Sequence, residues 1–332
     1  MATIKQVAER AGVSPATVSR VLTGRTAVDG RKRDLVLRAV AELNYRPNLL
    51  ASNLRRQKTA KIGVVVPDIE NPHFSQSIRV FEEIAYREGF RVLLCNTEDQ
   101  PAKQQAYLEV LADERVEGIL LVPYDSDGPE IAAVIDRGIP LLAYDRPVDD
   151  PRADTVIADN FEGARRATEL LIEAGHRRIG FVGGIVALKP GADRQAGYEA
   201  ALRQRGLEPY VAPGEFNVDR AREATAALLA HPDGITGLVV GSNRMTVGAW
   251  RAIRACGVRV PDELAVVGID DPWWAELLEP PMTTVAQPVR RMAEAAVDLL
   301  FERIAGTRSH PRCVVYGFEL RVRQSCGTNG AD

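Results

Sequence analysis

The chain has few of the residues that build metal centres and redox sites, and no run that could span a membrane. Its four cysteines, at 95, 256, 313 and 326, show no metal-ligand spacing, and its four histidines add no ligand cluster. Thiols this sparse suit a reducing compartment. No apolar stretch approaches the roughly 20 residues of a membrane span, and the amino-terminal segment lacks a signal peptide's apolar core. A cytoplasmic location with no membrane partner is therefore expected. Signatures of catalysis are missing too. No glycine-rich phosphate loop ends in Lys-Ser/Thr, no dinucleotide fingerprint occurs, and Gly183-Gly184 and Lys189-Pro190-Gly191 fit neither spacing. No nucleophile elbow is present. No catalytic residue, metal or cofactor is expected.

Charge is what the chain has, and it is unevenly placed. Residues 1–60 hold twelve Lys/Arg against four Asp/Glu, whereas the remainder holds thirty against forty-one. A formal net charge of −3 thus hides a basic head on an acidic body. Clustered positive charge at one end is the footprint of phosphate binding.

The same segment carries a helix-turn-helix pattern. Thr3 and Gln6 form a capping box at the start of a helix. Ile4, Val7, Ala8 and Ala11 recur at helical spacing on one apolar face. Gly12 permits a sharp turn. Ser14 then caps a second helix with Pro15 in its first position, where the missing N–H costs nothing. Val18, Val21 and Leu22 face inward, and Thr17, Ser19 and Arg20 are left for solvent or DNA. A third helix is expected from Arg31 to about Asn44. Pro47 ends it, and Asn48 can cap a short helix from Leu49 to Arg56, which is marginal alone in water.

From about Thr59 short apolar runs alternate with helical patterns. The strand candidates are Ile62–Val66, Arg91–Cys95, Gly118–Val122, Pro140–Tyr144, Thr155–Ala158, Ile179–Val182, Gly237–Val240 and Leu264–Val267. Seven helix candidates lie between and after them, from Phe74–Glu88 to Val289–Ala305. Alternation of this kind implies parallel, doubly wound sheets, which bind ligands at the carboxyl ends of their strands. The residues after these runs are polar or aromatic: Asn71-Pro72-His73-Phe74, Asp145-Arg146, Asp159-Asn160, Asp193-Arg194, Phe216, Ser242-Asn243 and Asp270-Asp271, with Trp273-Trp274 close behind. Singly each could be a helix cap or a surface charge, and Asp159 could simply cap the next helix. As a set they suit a small polyhydroxylated molecule, with charged planar groups clamping hydroxyl pairs and ring faces covering C–H surfaces.

Residues 3–22, Leu43-Asn44-Tyr45-Arg46-Pro47-Asn48 and Ala51-Ser52-Asn53-Leu54 together resemble the headpiece and hinge of the LacI/GalR family of bacterial transcription regulators. Gly268-Ile269-Asp270-Asp271, Pro280-Pro281-Met282-Thr283-Thr284-Val285 and Gln287-Pro288 stand where that family has its late motifs. The resemblance therefore spans nearly the whole chain. It implies an all-α helix-turn-helix headpiece over residues 1–46, a hinge helix over 47–58, and an α/β two-lobed effector domain like periplasmic binding proteins over 59–332. The first lobe would take about 59–160 and 289–320, the second about 161–288. Pro15, Ala16 and Arg20 would face base edges, with Arg20 bidentate to guanine. Thr17 and Ser19 would touch phosphates. Leu54 would wedge into the minor groove, with Asn48 and Arg55 also on DNA. His73, Phe74, Asp145, Arg194, Phe216, Asn243 and Asp270 would line the cleft, and Trp274 would stack on a sugar ring.

This chain departs from the family pattern in three places. The family usually has Arg-Ser at Ser52-Asn53, Thr at Lys32, and Asn-Asp at Asn243-Arg244. A cation at 244 could select a different sugar or an anionic one. The expected protein is a homodimeric repressor of a near-palindromic double-stranded operator, controlled by a sugar or sugar derivative. A regulator answering to a phosphorylated metabolite or protein partner, or an enzyme on the same fold, are the alternatives. No leucine heptad follows Arg323, so a dimer is the default.

Overall fold

The computed structural model describes residues 2–23, 28–45 and 59–327. The expected hinge helix, with Asn48, Leu54 and Arg55, lies outside them. The chain forms two compact units, Met1–Thr59 and Ala60–Asp332.

In the first unit, α1 (Ile4–Ala11), α2 (Pro15–Thr23) and α3 (Gly30–Glu42) pack around Val7, Ala8, Ala11, Val18, Val36 and Ala39. The capping box forms as its spacing requires. Gln6 N–H donates to Thr3 Oγ1 at 3.4 Å, and Thr3 N–H donates to Gln6 Oε1 at 2.8 Å. Gly12 ends α1 at φ 64°, with open space where a Cβ would sit, so it is needed for backbone conformation and not for room. α3 stops two residues short of the expected Asn44. Asn44 turns into the left-handed region at φ 44°, and Tyr45 N–H returns to the Val40 carbonyl at 2.9 Å. That reversal brings Tyr45 against the core.

The second unit holds two six-stranded sheets. The first contains β1 (Lys61–Val66), β2 (Arg91–Asn96), β3 (Ile119–Leu121), β4 (Leu141–Tyr144), β5 (Asp154–Ala158) and β11 (Cys313–Tyr316), in the order β11-β5-β4-β3-β1-β2, all parallel. The second contains β6 (Ile179–Gly183), β7 (Tyr210–Pro213), β8 (Gly237–Val240), β9 (Ala265–Ile269), β10 (Thr283–Ala286) and β12 (Glu319–Arg321), in the order β12-β10-β9-β8-β6-β7, with only β12 antiparallel. Helices α4 (Pro72–Arg87), α5 (Pro101–Asp113), α6 (Pro129–Asp136) and α11 (Val289–Ile304) belong with the first sheet. With the second go α7 (Asn160–Glu173), α8 (Lys189–Arg203), α9 (Val218–Leu229) and α10 (Asn243–Ala255). Separate apolar clusters cover the sheets, centred on Phe81 and Leu108 in the first and on Trp250 and Phe181 in the second. β4, β6, β8 and β9 are buried along their whole length, as parallel strands with both faces covered must be.

The chain passes between the sheets three times, at 158–160, 286–289 and 316–319. Residues 319–320, expected in the first lobe, pair instead with β10 in the second. There Glu319 stands opposite Ala286 and Leu320 opposite Val285, in an antiparallel register.

Asp154 anchors the return of the chain into the first sheet. Only 1% exposed, its carboxylate meets Arg308 Nη1 at 2.6 Å, Arg303 Nε at 3.1 Å and the Arg312 N–H at 2.8 Å. It thereby ties β5 to the end of α11 and the start of β11. Removing it takes from two largely buried guanidinium groups the carboxylate they share, leaving Arg308 with Glu302 and Arg303 with backbone carbonyls, so Asp154→Ala should lower stability by about 3 kcal/mol. Urea unfolding of the full chain measures this, and a loss below about 1 kcal/mol would show the clasp to be dispensable.

Candidate ligand cleft and nucleic-acid interface

On α2, Val18 is fully buried, while Pro15, Ala16 and Arg20 are exposed and Thr17 and Ser19 are half-buried. The helical period puts Ala16 and Arg20 one above the other on the outward face. The Thr17 hydroxyl lies 2.9 Å from the Ser14 hydroxyl, so it also belongs to the cap of its own helix.

In the second unit the loops after the carboxyl ends of both sheets line one cavity of about 560 Å³ between the lobes. His73, Phe74, Asp145, Arg194, Phe216 and Asp270 all reach it. The two aspartates hold matching places. Asp145 follows β4 and Asp270 follows β9. Each donates its backbone N–H to the next strand, to Val156 O and Val285 O, both at 2.9 Å. Each then turns into the left-handed region, at φ 65° and φ 73°, which aims its carboxylate off the end of its sheet. One carboxylate thus enters the cavity from each lobe.

Their neighbours fix their chemistry. His73 Nε2 lies 3.3 Å from Asp145 Oδ1, at an angle too poor for a good hydrogen bond. Burial alone would push the Asp145 carboxyl up; the adjoining His73, with Arg146 and Arg194, outweighs it and holds the group below its ordinary range. Asp270 Oδ1 accepts from Gln287 Nε2 at 2.7 Å and stands 4.0 Å from Arg194 Nη2. Arg194 is 4% exposed and oriented by Asn160 Oδ1 at 2.8 Å and the Gly241 carbonyl at 2.7 Å. The Phe216 ring lies over Gly184, where a Cβ would sit 2.2 Å from it, so glycine there makes room for the ring.

Two expected cleft residues sit elsewhere. Asn243 borders a smaller cavity of about 320 Å³, and its Nδ2 donates across the lobes to Asn71 Oδ1 at 3.0 Å. Trp274 does not line the main cavity; it opens a 3₁₀ turn at Ala275–Leu277 that carries it away. The aromatic faces in the cleft are Phe74 and Phe216. Of the other strand-end residues, Asp159 caps α7, Asp193 pairs with Lys189, and Asp271 grips Arg323 with both oxygens.

Other lining residues carry roles that no spacing revealed. Arg146 is bidentate to Asp99, at 2.6 and 3.4 Å. Arg244 pairs with Asp68 of the opposite lobe. Among the described residues, His73 Nδ1, Arg146 Nε, Asn243 Oδ1 and Gln287 Oε1 are buried without a hydrogen-bond partner. Among the described residues no cluster of His, Cys, Asp and Glu could hold a metal ion, and no helix is long and apolar enough to cross a membrane.

Residues 3–48 match the family described as bacterial regulatory proteins, lacI family, and residues 168–326 match a periplasmic binding protein-like domain. The chain is 34% identical over 330 residues to the HTH-type transcriptional repressor PurR of Mannheimia succiniciproducens, covering 98% of both chains. It is 35% identical over 304 residues to the ribose operon repressor of Halalkalibacterium halodurans, covering 92% of this chain and 91% of that one. Among solved structures, the lac repressor dimer bound to operator and the anti-inducer ONPF matches with a TM-score of 0.87 and 28% identity, over 98% of this chain and 99% of that one. A complex of the transcriptional regulator CelR with cellobiose matches with a TM-score of 0.74 and 33% identity, over 98% and 100%. A helix-turn-helix unit, a two-lobed α/β body with a polar cleft, and full-length relatives that are repressors agree: the chain belongs to the lacI family of bacterial regulatory proteins.

Proposed function

We propose that this protein is a cytoplasmic repressor that reads a near-palindromic operator as a homodimer and is controlled by a neutral, hydroxyl-rich small molecule of the sugar class. The observation that carries the ligand reading is the pair of buried aspartates, one from each lobe, facing one cavity beside Arg194. An ionised carboxylate only accepts hydrogen bonds, and a guanidinium only donates them. A hydroxyl does both, so a polyol satisfies the set, and Phe74 and Phe216 can cover its C–H faces. A ligand held by both lobes ties their relative position to its own occupancy. The volume suits a mono- or disaccharide within the usual 300–1,000 Å³ of ligand sites. The ligands bound in similar structures, cellobiose and, in an Enterococcus faecium regulator, ribose, support the class. Binding also accounts for the basic headpiece, which catalysis in the cleft would leave unexplained.

On the DNA side, Pro15, Ala16 and Arg20 read base edges and Thr17 and Ser19 position the helix on the backbone. Asn48, Leu54 and Arg55 complete the contacts. Two-fold symmetry of the dimer demands matching half-sites.

Selection of preferred DNA from a random library, with and without a pool of neutral sugars, tests the whole reading. A palindrome whose recovery changes with the pool is expected, and no enriched sequence would overturn it. Arg20→Ala should cost about 1–3 kcal/mol of operator binding and relax preference at one base pair per half-site; an unchanged selection profile would remove Arg20 from base reading. Asp270→Ala should abolish the response to the sugar while operator affinity stays at the wild-type level. A fully responsive variant would place the effector elsewhere.

A further inference from the structure

The cleft is electrostatically one-sided, and the imbalance extends to its mouth. Its lining holds seven carboxylates and three guanidinium groups. Each guanidinium is already engaged by the protein. Arg146 is held by Asp99 and the Pro123 carbonyl, Arg194 by Asn160 and the Gly241 carbonyl, and Arg244 by Asp68. Helix starts could offset the negative charge, since residues at the beginnings of α4, α8, α9 and α10 line the cavity. Each helix start acts as roughly half a positive charge, so four supply about two. The excess of four carboxylates exceeds that, so the interior stays negative.

Arg244 is where this balance is set. It is the second residue of α10, a place where a cation opposes the helix dipole. Unopposed, it would add to the helix start and make an anion site. Asp68, from the loop after β1 in the other lobe, reaches across and pairs with it, and both side chains are partly buried, at 33% and 23% exposure. Beside them the Asn243–Asn71 hydrogen bond makes a second link between the lobes.

We infer that Asp68 and Arg244 form a specificity-determining pair at the mouth of the cleft. By occupying the guanidinium, Asp68 denies it to a phosphate or carboxylate, so the neutral form of a ligand is accepted and its phosphorylated form is rejected. The inference rests on the sugar-class reading above. Arg244 is thus a neutralised cation and not an anion receptor.

The test is calorimetric titration of the full-length protein with neutral and phosphorylated partners: D-ribose against D-ribose 5-phosphate and D-glucose against D-glucose 6-phosphate, with cellobiose as a further neutral probe. Wild type should bind a neutral form at least tenfold more tightly than its phosphate. Asp68→Asn frees Arg244 and should raise phosphate affinity fivefold or more with little change for the neutral form. Adding Arg244→Gln should reverse that gain, and the cycle of single and double variants isolates the pair. Salt offers a check that needs no substitution. Raising ionic strength screens the repulsion and should narrow the wild-type preference, whereas affinity for the neutral form stays level. A wild type that prefers the phosphate, or a preference indifferent to both salt and Asp68→Asn, would overturn the inference while leaving a sugar-type effector in place. If no probe binds, neutral or phosphorylated, the ligand class itself is wrong and the inference falls with it.

Discussion

The functional geometry depends on where two parallel sheets end. A parallel sheet delivers the loops after its strands to one edge, and here the two edges line a single cavity, so that each lobe supplies half of the site. Three crossings, each only a few residues long, keep the halves opposed. The matching placement of Asp145 and Asp270 is the clearest product of this constraint. Each is the first residue beyond a buried strand, still hydrogen-bonded to the next strand and turned into a conformation that side chains rarely adopt. Neither lobe encloses the cavity alone. A molecule bridging the two carboxylates distinguishes one lobe arrangement from another, which is the differential affinity that any ligand-driven change requires.

That arrangement places charge where burial opposes it. Asp145 is almost fully enclosed, and desolvation alone would favour its neutral form. The surrounding His73, Arg146 and Arg194 overcome this and keep it ionised. A neutral carboxylic acid would offer a donor as well as acceptors; an ionised one only accepts, which demands donors from the ligand. The same logic explains why Arg194 is held by an amide oxygen and a backbone carbonyl as well as facing Asp270. Its orientation is set before any ligand arrives, so little ordering remains to oppose binding.

The architecture was largely legible because buried parallel strands read as short continuous apolar runs, and eight such runs became strands. The four strands that went unread fail that pattern for physical reasons. β12 is an edge strand with every side chain exposed, β7 an edge strand with only one residue buried, β11 alternates exposed and half-buried positions at the edge of the first sheet, and β10 begins with two buried threonines. The eight-residue helix α6 is too short to show a stripe over several turns. At the site, the polar residues that follow strands could be found by position alone. Those defined by a partner could not: nothing in the order of residues joins Arg146 to Asp99 across 47 positions or Arg244 to Asp68 across 176. Trp274 shows the opposite error. It stands close behind a strand end in sequence, but the 3₁₀ turn beginning there withdraws it from the cavity.

The separation of charge along the chain links the two ends of the function. A basic headpiece concentrates phosphate affinity in one small unit, while an acidic body is repelled by the DNA backbone. Contacts that set register on DNA therefore fall to the headpiece, where base edges can be read. The negative body has a second consequence in the cleft, which must recognise a small molecule among abundant cellular phosphates. A site whose cations are already engaged by the protein's own carboxylates, amide and carbonyl oxygens discriminates against them without a dedicated filter. Coupling between the two sites is reciprocal, so whatever free energy the effector takes from operator binding, the operator takes from effector binding. Keeping phosphates out of the cleft ensures that this exchange responds to the effector and not to the general pool of anions.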